Sequence, residues 1–301
     1  MQVRLDKLVS DRFALSRRVA QEAVRNGKID LAGTRCDEPG RMVAPDSDLA
    51  YFPSRPKQRK VVGAGVAVLH EDADVLIVNK PAGLLTLPTA AHEPDTLSTR
   101  VENYLRLRHG TPHEVGIIHR LDKDTSGAIA FAKGIRALPA FQELMRAHAV
   151  ERQYLAVVEG YVGALSGTIE KAIVLGRDQA RHRVSAHAGE GMRAVTHFRV
   201  VERIGRVATL VACWLETGRT HQIRLHLADA GHPVVGDLRY RNRSSPASKA
   251  RFHRQALHAQ TLGFTHPITG AQVHVEAPLP PDMTALINDL RMRFGIRNAG
   301  G

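Results

Sequence analysis

The first fifty residues carry a helical period of apolar positions. Leu5, Leu8 and Val9 share one helical face. A second helix is predicted from Arg17 to Asn26, with Ser16 as N-cap and Gly27 as C-cap. Its apolar face is Val19, Ala20, Ala23 and Val24. A short strand follows at Lys28–Leu31, then a turn at Ala32-Gly33-Thr34 and another strand near Leu49–Phe52. The pattern then lapses. Pro53-Ser54-Arg55-Pro56-Lys57-Gln58-Arg59-Lys60 holds two prolines, four cations and no apolar periodicity, as a linker does. This divides the chain into a small module (1–52), a basic linker (53–65) and a large domain (66–301).

In the large domain short strand-like runs dominate: Val75–Asn79, Val115–Ile118, Ala128–Ala132, Tyr154–Val158, Thr168–Leu175, Val195–Val201, Arg206–Leu215, Leu257–Leu262 and Val273–Glu276. Helices are predicted at Thr99–Leu107, from Pro139 to about His148, and at Thr220–Leu227. A last helix starts after an Asp282 cap, with Met283, Leu286, Ile287 and Leu290 facing inward. Strands and helices do not alternate regularly. That disfavours a doubly wound sheet and predicts an α+β fold. Arg177–Arg193 and Arg239–His253 read as exposed basic loops.

Charge adds a partner class. The 42 Lys and Arg exceed the 30 Asp and Glu, a net charge of +12 over 301 residues, which favours an anionic partner, nucleic acid before acidic membrane. No apolar run reaches the length of a membrane span, no strongly amphipathic basic helix dominates, and the early charges Arg4, Asp6 and Lys7 do not suit a signal peptide. Cys36 and Cys213 are the only cysteines, so no disulfide framework is indicated, and a reducing, cytoplasmic setting is expected. Arg17, Arg18, Arg25 and Lys28, opposite the apolar face of the second helix, form a candidate phosphate-binding surface.

The candidate chemistry sits in His119-Arg120-Leu121-Asp122-Lys123-Asp124-Thr125-Ser126-Gly127, between two strand-like runs. A core does not require this mixture of carboxylates, cations and hydroxyls. Taken alone, Asp122 also fits a structural turn residue satisfying backbone donors. Ser126 lacks the G-x-S-x-G setting of a hydrolase nucleophile. Gly218-Arg219-Thr220-His221-Gln222-Ile223-Arg224 lies at a strand-to-helix transition, where a cation and hydrogen-bonding groups can hold an anion. The 16 histidines raise a metal hydrolase, but His221 and His226 are spaced poorly for one helical face, and no H-E-x-x-H or paired-cysteine site occurs. No metal and no cofactor are expected.

These segments together resemble the RluA-type pseudouridine synthase family. Asn79-Lys80-Pro81-Ala82-Gly83, the His119–Gly127 stretch, Arg152–Gly160, Gly218–Leu225 and Arg254–Ala259 match its motifs in order and spacing. Residues 3–52, best at Ser16-Arg17-Arg18 and Asn26–Gly33, resemble the S4-like RNA-binding domain, a common attachment in that family. The resemblance implies a mixed, mainly antiparallel sheet around a central cleft. It implies isomerisation of uridine to pseudouridine in structured RNA, most readily in the large ribosomal subunit, with transfer RNA as the alternative and a non-catalytic RNA-binding protein as the rival. It implies a catalytic carboxylate at Asp122, a base-side group at Tyr154, and Arg219 as the counter-charge of Asp122, a role for which Arg224 ranks behind Arg219. It places Arg120 at the flipped-out nucleotide and gives His119 and Thr125 the shaping of the loop. A monomer is expected. One departure is Leu84-Leu85-Thr86-Leu87-Pro88-Thr89, where members often carry a histidine-proline pair; it bears on substrate selection more than on chemistry.

Overall fold

A computed structural model describes residues 3–294 apart from 37, 56–64, 111–113, 176–181, 186, 188 and 241–251. Most of the predicted linker and of the Arg239–His253 loop lie outside the described residues. The chain divides into two compact units, Met1–Val61 and Val62–Gly301.

The first unit runs β1 (Val3–Arg4), α1 (Leu5–Arg12), α2 (Arg17–Arg25), β2 (Ile29–Leu31), β3 (Thr34–Cys36), β4 (Met42–Val43) and β5 (Leu49–Tyr51). The Ser16 hydroxyl caps α2 by accepting from the Val19 amide at 3.3 Å. Leu5, Val9, Ala20, Ala23, Val24, Ile29 and Leu49 form the core. Val19, predicted to face inward, is instead 44% exposed. It stands one residue before Ala20, so a face centred on Ala20, Ala23 and Val24 turns it outward. Arg17, Arg18 and Arg25 are exposed, whereas Lys28 is half-buried and donates to the Pro53 carbonyl. Asp6, wholly buried, takes a hydrogen bond from Arg4 that outweighs burial and, with Gln21 and Arg17, holds its carboxyl at about 2.

The second unit runs β6 (Ala67–Glu71), β7 (Val75–Lys80), α3 (Leu97–His109), β8 (Val115–Ile117), β9 (Ser126–Lys133), α4 (Leu138–Arg146), β10 (Val150–Glu159), β11 (Ser166–Glu170), β12 (Ile173–Leu175), β13 (His182–Val184), β14 (Val195–Ile204), β15 (Ala208–Leu215), α5 (Gln222–Asp229), β16 (Leu257–Thr265), β17 (Gln272–Glu276) and α6 (Pro281–Phe294). The sheet order is β11-β14-β15-β10-β16-β9-β7-β6, with β17 beside β16 and β8 beside β9. Its pairings are antiparallel except β9 with β16. The α+β sheet predicted above is therefore present.

Helices cover both faces, and the alternation along the strands shows it. Leu76, Val78, Ile129 and Phe131 pack with Leu97, Val101 and Leu105 of α3 and with Met283, Leu286, Ile287 and Leu290 of α6. Val75, Ile77, Ala128, Ala130 and Ala132 pack on the other face with Phe141 of α4. A strand buried on both faces reads as a continuous apolar run, as Ala128–Ala132 does. Two expectations change. Thr168–Leu175 is not one strand but β11 and β12, parted at Lys171-Ala172. Within Arg177–Arg193, His182–Val184 pairs with β12 as a hairpin. Its His-Arg-Val sequence has no apolar alternation by which to find it. Among the described residues no helix is long and apolar enough to cross a membrane.

The parallel pairing is short: His258 opposite Ser126 and Ala259 opposite Gly127. It brings the end of the predicted chemical stretch against the centre of the sheet. Gly127 sits at φ +118°, and a Cβ there would lie 2.1 Å from the Ala259 carbonyl oxygen. Gly127→Ala is therefore expected to cost on the order of 3 kcal/mol or more, through backbone strain and separation of β9 from β16. Denaturant unfolding against the parent checks this; an unchanged midpoint would contradict it.

Candidate active site

Asp122 lies in the loop between β8 and β9, and side chains from several segments hold the backbone of that loop. The Thr86 hydroxyl donates to the Leu121 carbonyl at 2.8 Å and accepts from its amide at 3.2 Å. Lys80 donates to the Lys123 carbonyl at 2.7 Å. Arg254 donates to the Asp124 carbonyl at 3.1 Å and is itself held by Asp282. Gln255 donates to the buried Thr125 hydroxyl at 3.3 Å, and the Thr125 amide donates to the Asp122 carbonyl at 3.1 Å. Thr125 thus ties the loop to Gln255 and to the Asp122 carbonyl. Thr86, within the segment that departs from the family pattern, clamps the loop directly.

Lys80 is fully buried and, among the described residues, carries no carboxylate hydrogen bond. Its three ammonium protons are matched by three carbonyls: Pro81 at 2.9 Å, Leu84 at 2.7 Å and Lys123. Burial pulls its pKa down to about 7 against the attraction of Asp124 and Asp122.

The counter-charge of Asp122 is Arg224, not Arg219. Arg224 Nη1 lies 2.9 Å from Asp122 Oδ2. Its Nε and Nη2 grip Asp237 at 2.6 and 3.0 Å. Asp237, also buried, accepts from the Arg239 and Tyr240 amides at 2.9 and 3.2 Å. Arg219 stands exposed before α5 and donates to the Arg193 carbonyl at 3.2 Å. The reason is the helix start. α5 begins at Gln222 after His221 at φ +58°, and its first turns are buried, so Arg224 points inward with Ile223 and Leu227. Gln222 anchors the turn: its Oε1 accepts from Thr217 at 2.7 Å and the Arg219 amide at 3.0 Å, and its Nε2 donates to the Val195 carbonyl at 2.9 Å. A cation between Ile223 and Leu225 was the available signal, because a buried arginine demands a carboxylate. Asp237 itself carried no motif.

His221 Nε2 is 3.8 Å from Asp122 Oδ2, and its Nδ1 is 2.9 Å from the Tyr240 hydroxyl. Burial draws its pKa down to about 4, so it is neutral at pH 7. His119 accepts the Ala130 amide at Nε2, 3.1 Å away; burial, then Arg152, lowers its pKa to about 3. It too is a neutral group that fixes the loop. Tyr154 rises from β10, whose pairing with β16 shifts between Gln153 and Tyr154 and leaves Gln260 as the extra residue. Tyr154 is buried, and its pKa is raised chiefly by that burial.

These groups open onto one cavity of about 490 Å³, lined by His119, Arg120, Asp122, Arg152, Tyr154, His221 and Arg224, with Arg219 at its edge; this is ample room for a nucleotide. Arg120 is exposed there. Arg17, Arg18, Arg25 and Lys28 belong to the other unit.

A metal-type cluster lies elsewhere. Asp72, Asp74 and His266 bring ligand atoms within 4.8 Å of one another. The His266 Nδ1, however, accepts from the Ile268 and Thr269 amides at 3.2 and 3.1 Å, so Nε2 keeps its proton and faces Asp72 at 3.5 Å. That tautomer suits a carboxylate rather than a cation.

Two outcomes are expected. Arg224→Ala leaves two carboxylates without their guanidinium and should cost about 3–5 kcal/mol with loss of activity, whereas Arg219→Ala should unfold at nearly the parental midpoint. Paired unfolding curves check the contrast. Between pH 7 and about 10 the unfolded chain holds the Lys80 proton more tightly than the folded one, so this group makes stability rise with pH. The stability difference between the parent and Lys80→Met should therefore move in the parent's favour from about pH 7 to about pH 10; a movement the other way would contradict the depressed pKa.

Both units of the chain have known relatives. Residues 74–229 match the RNA pseudouridylate synthase family and residues 3–49 the S4 domain. The chain is 38% identical over 293 residues to the RNA pseudouridine synthase YlyB of Bacillus subtilis, covering 96% of this chain and 94% of that one. It is 35% identical over 303 residues to ribosomal large subunit pseudouridine synthase D of Escherichia coli, covering 97% and 91%. Among solved structures, human RNA pseudouridylate synthase domain containing 4 superposes with a TM-score of 0.61 at 25% identity, covering 75% of this chain and 93% of that one. The chain therefore belongs to the RNA pseudouridylate synthase family, carries an N-terminal S4 domain, and is a pseudouridine synthase acting on RNA.

Proposed function

We propose that the enzyme isomerises uridines of large-subunit ribosomal RNA, with Asp122 as its reactive group. The observation that carries the chemistry is the carboxylate of Asp122, held at 2.9 Å by a buried arginine at the edge of a nucleotide-sized cavity. The target class rests on the near full-length similarity to an enzyme named for the large ribosomal subunit. A cytoplasmic setting fits the two buried free cysteines.

In this reading the target uridine leaves its stack and enters the cavity, because C1′ and C5 are out of reach of a recessed carboxylate in stacked RNA. Exposed Arg120 takes the vacated side. Asp122, oriented by Arg224, acts at C1′ as covalent nucleophile or as electrostatic partner of a cationic sugar. Tyr154 packs against the base. The glycosidic bond breaks, the uracil turns, and C5 joins C1′. The proton lost from C5 balances the one gained at N1, so no redox partner is consumed. The S4 unit supplies backbone contacts through Arg17, Arg18, Arg25 and Lys28.

Asp122→Asn keeps the size of the side chain and removes its charge. It is expected to lower pseudouridine formation by at least on the order of 10³-fold while RNA affinity changes little. Normal turnover would overturn the assignment. Removing residues 1–61 should weaken binding of ribosomal RNA, with a smaller salt slope, more than it slows saturated turnover. A pseudouridine map of ribosomal and transfer RNA with and without the gene tests the target class: sites lost only from transfer RNA would sink the ribosomal assignment.

A further inference from the structure

Arg152 is a buried cation of the same cavity for which the chemistry above has no use. It lies two residues before Tyr154 on β10, so both side chains leave the same face of the strand, about 7 Å apart along it. Only 7% of it is exposed. Its Nη2 reaches the Leu215 carbonyl at a long 3.3 Å, and its buried Nε has no partner. Among the described residues it joins no ion pair. Glu216, on the same cavity wall, is engaged by His197 at 2.8 Å and by Arg193 at 3.4 Å. Gly218 leaves the guanidinium its space: a Cβ there would stand 3.1 Å from Nη1.

A buried, uncompensated guanidinium is costly, and it is retained where an anion arrives. Two anions of the substrate are available: a backbone phosphate, and the uracil once it is detached. The depth of Arg152 favours the second. A phosphate is strongly hydrated and stays on the chain, where exposed Arg120 and Arg219 can meet it at the rim. The detached base is planar, less hydrated, and lies beside Tyr154. We propose that Arg152 is the receptor for the anionic uracil: it donates hydrogen bonds to the base as the N1–C1′ bond breaks and the electron pair leaves on the ring.

The proposal rests on the uridine reading above and completes its charge balance. When N1–C1′ breaks, the sugar gains positive charge and the base negative charge. Asp122, Arg224 and Asp237 together carry a net negative charge on the sugar side. Arg152 supplies the opposite sign on the base side. The electron pair delocalised from N1 onto the ring carbonyls is shared with its donors. The ring then turns, C5 bonds to C1′, the C5 proton departs and N1 takes up a proton. Tyr154 stands between the two poles: beyond burial, Asp122 raises its pKa and Arg152 lowers it. His119, also facing Arg152, is neutral and does not compete for the base as a second cation.

The test uses the full chain and a large-subunit ribosomal RNA transcript carrying uridine or 5-fluorouridine at the mapped site. Target consumption is followed by digestion and chromatography under single-turnover conditions. Arg152→Met should lower the saturating rate on the order of 10²-fold, with RNA affinity within roughly threefold of the parent. Because fluorine stabilises the leaving anion, the deficit in bond cleavage should shrink by about tenfold on the 5-fluorouridine transcript. Arg152→Lys, which keeps the charge but not the fork, should fall between the parent and Arg152→Met. It also stands in if the apolar variant does not fold. A loss of affinity with an unchanged saturating rate would make Arg152 a phosphate contact and overturn the proposal, as would equal deficits on both transcripts. Failure of the parent enzyme on uridine would instead remove the ribosomal reading and leave the role of Arg152 to be judged on the RNA that it does modify.

Discussion

The site depends on one guanidinium shared between two carboxylates. Arg224 binds Asp237 through Nε and Nη2 and Asp122 through Nη1. Asp237 is buried and fixed by backbone amides, so it acts as the anchor. Asp122 is the partly exposed end, 19% by side chain, and it alone faces the cavity. The planar fork of arginine lets one cation hold a structural carboxylate and orient a reactive one at once, which a point charge such as lysine cannot do. The position of the reactive group is thus set by the same guanidinium that the buried anchor holds.

The loop that carries Asp122 has no strand or helix of its own to satisfy its carbonyls. Thr86, Lys80, Arg254 and Gln255 supply side chains in their place. A buried backbone group left unpaired is expensive, so these contacts restrict the loop to one path. Lys80 is the extreme case, a buried amine whose three hydrogen bonds all go to carbonyl oxygens. It positions the loop without touching the cavity, for it does not line it.

Much of this was legible in the residues. Most of the strand-like runs and, to within a few residues, the four helices of the large domain fall where apolar spacing puts them, because burial on a sheet face or a helix face imposes its period on the sequence. The stretch around Asp122 stood out because its polar residues serve no core. The differences lie in which way a side chain faces and in strands without an apolar period. Val19 was turned to the wrong side of a short helix. The hairpin at His182–Val184 was hidden by its polar composition. The family resemblance points to Arg219 as the counter-charge, and only the turn at His221 decides that Arg224 faces inward instead.

The sequence by itself therefore determined the kinds of group at the site and the elements that carry them, since chemistry and periodicity constrain local composition. Tertiary structure decided which of them meet. Asp122 and Arg224 are 102 positions apart, and Thr125 and Gln255 are 130 apart. The short parallel pairing of β9 with β16 sets the second distance, and the burial of α5 sets the first. Contacts at such separations leave no periodic trace along the chain, because they arise from how the sheet is ordered. The same holds for Arg152, whose buried guanidinium, with Nη2 on the Leu215 carbonyl and Nε without a partner, appears only once β10 and β15 lie side by side.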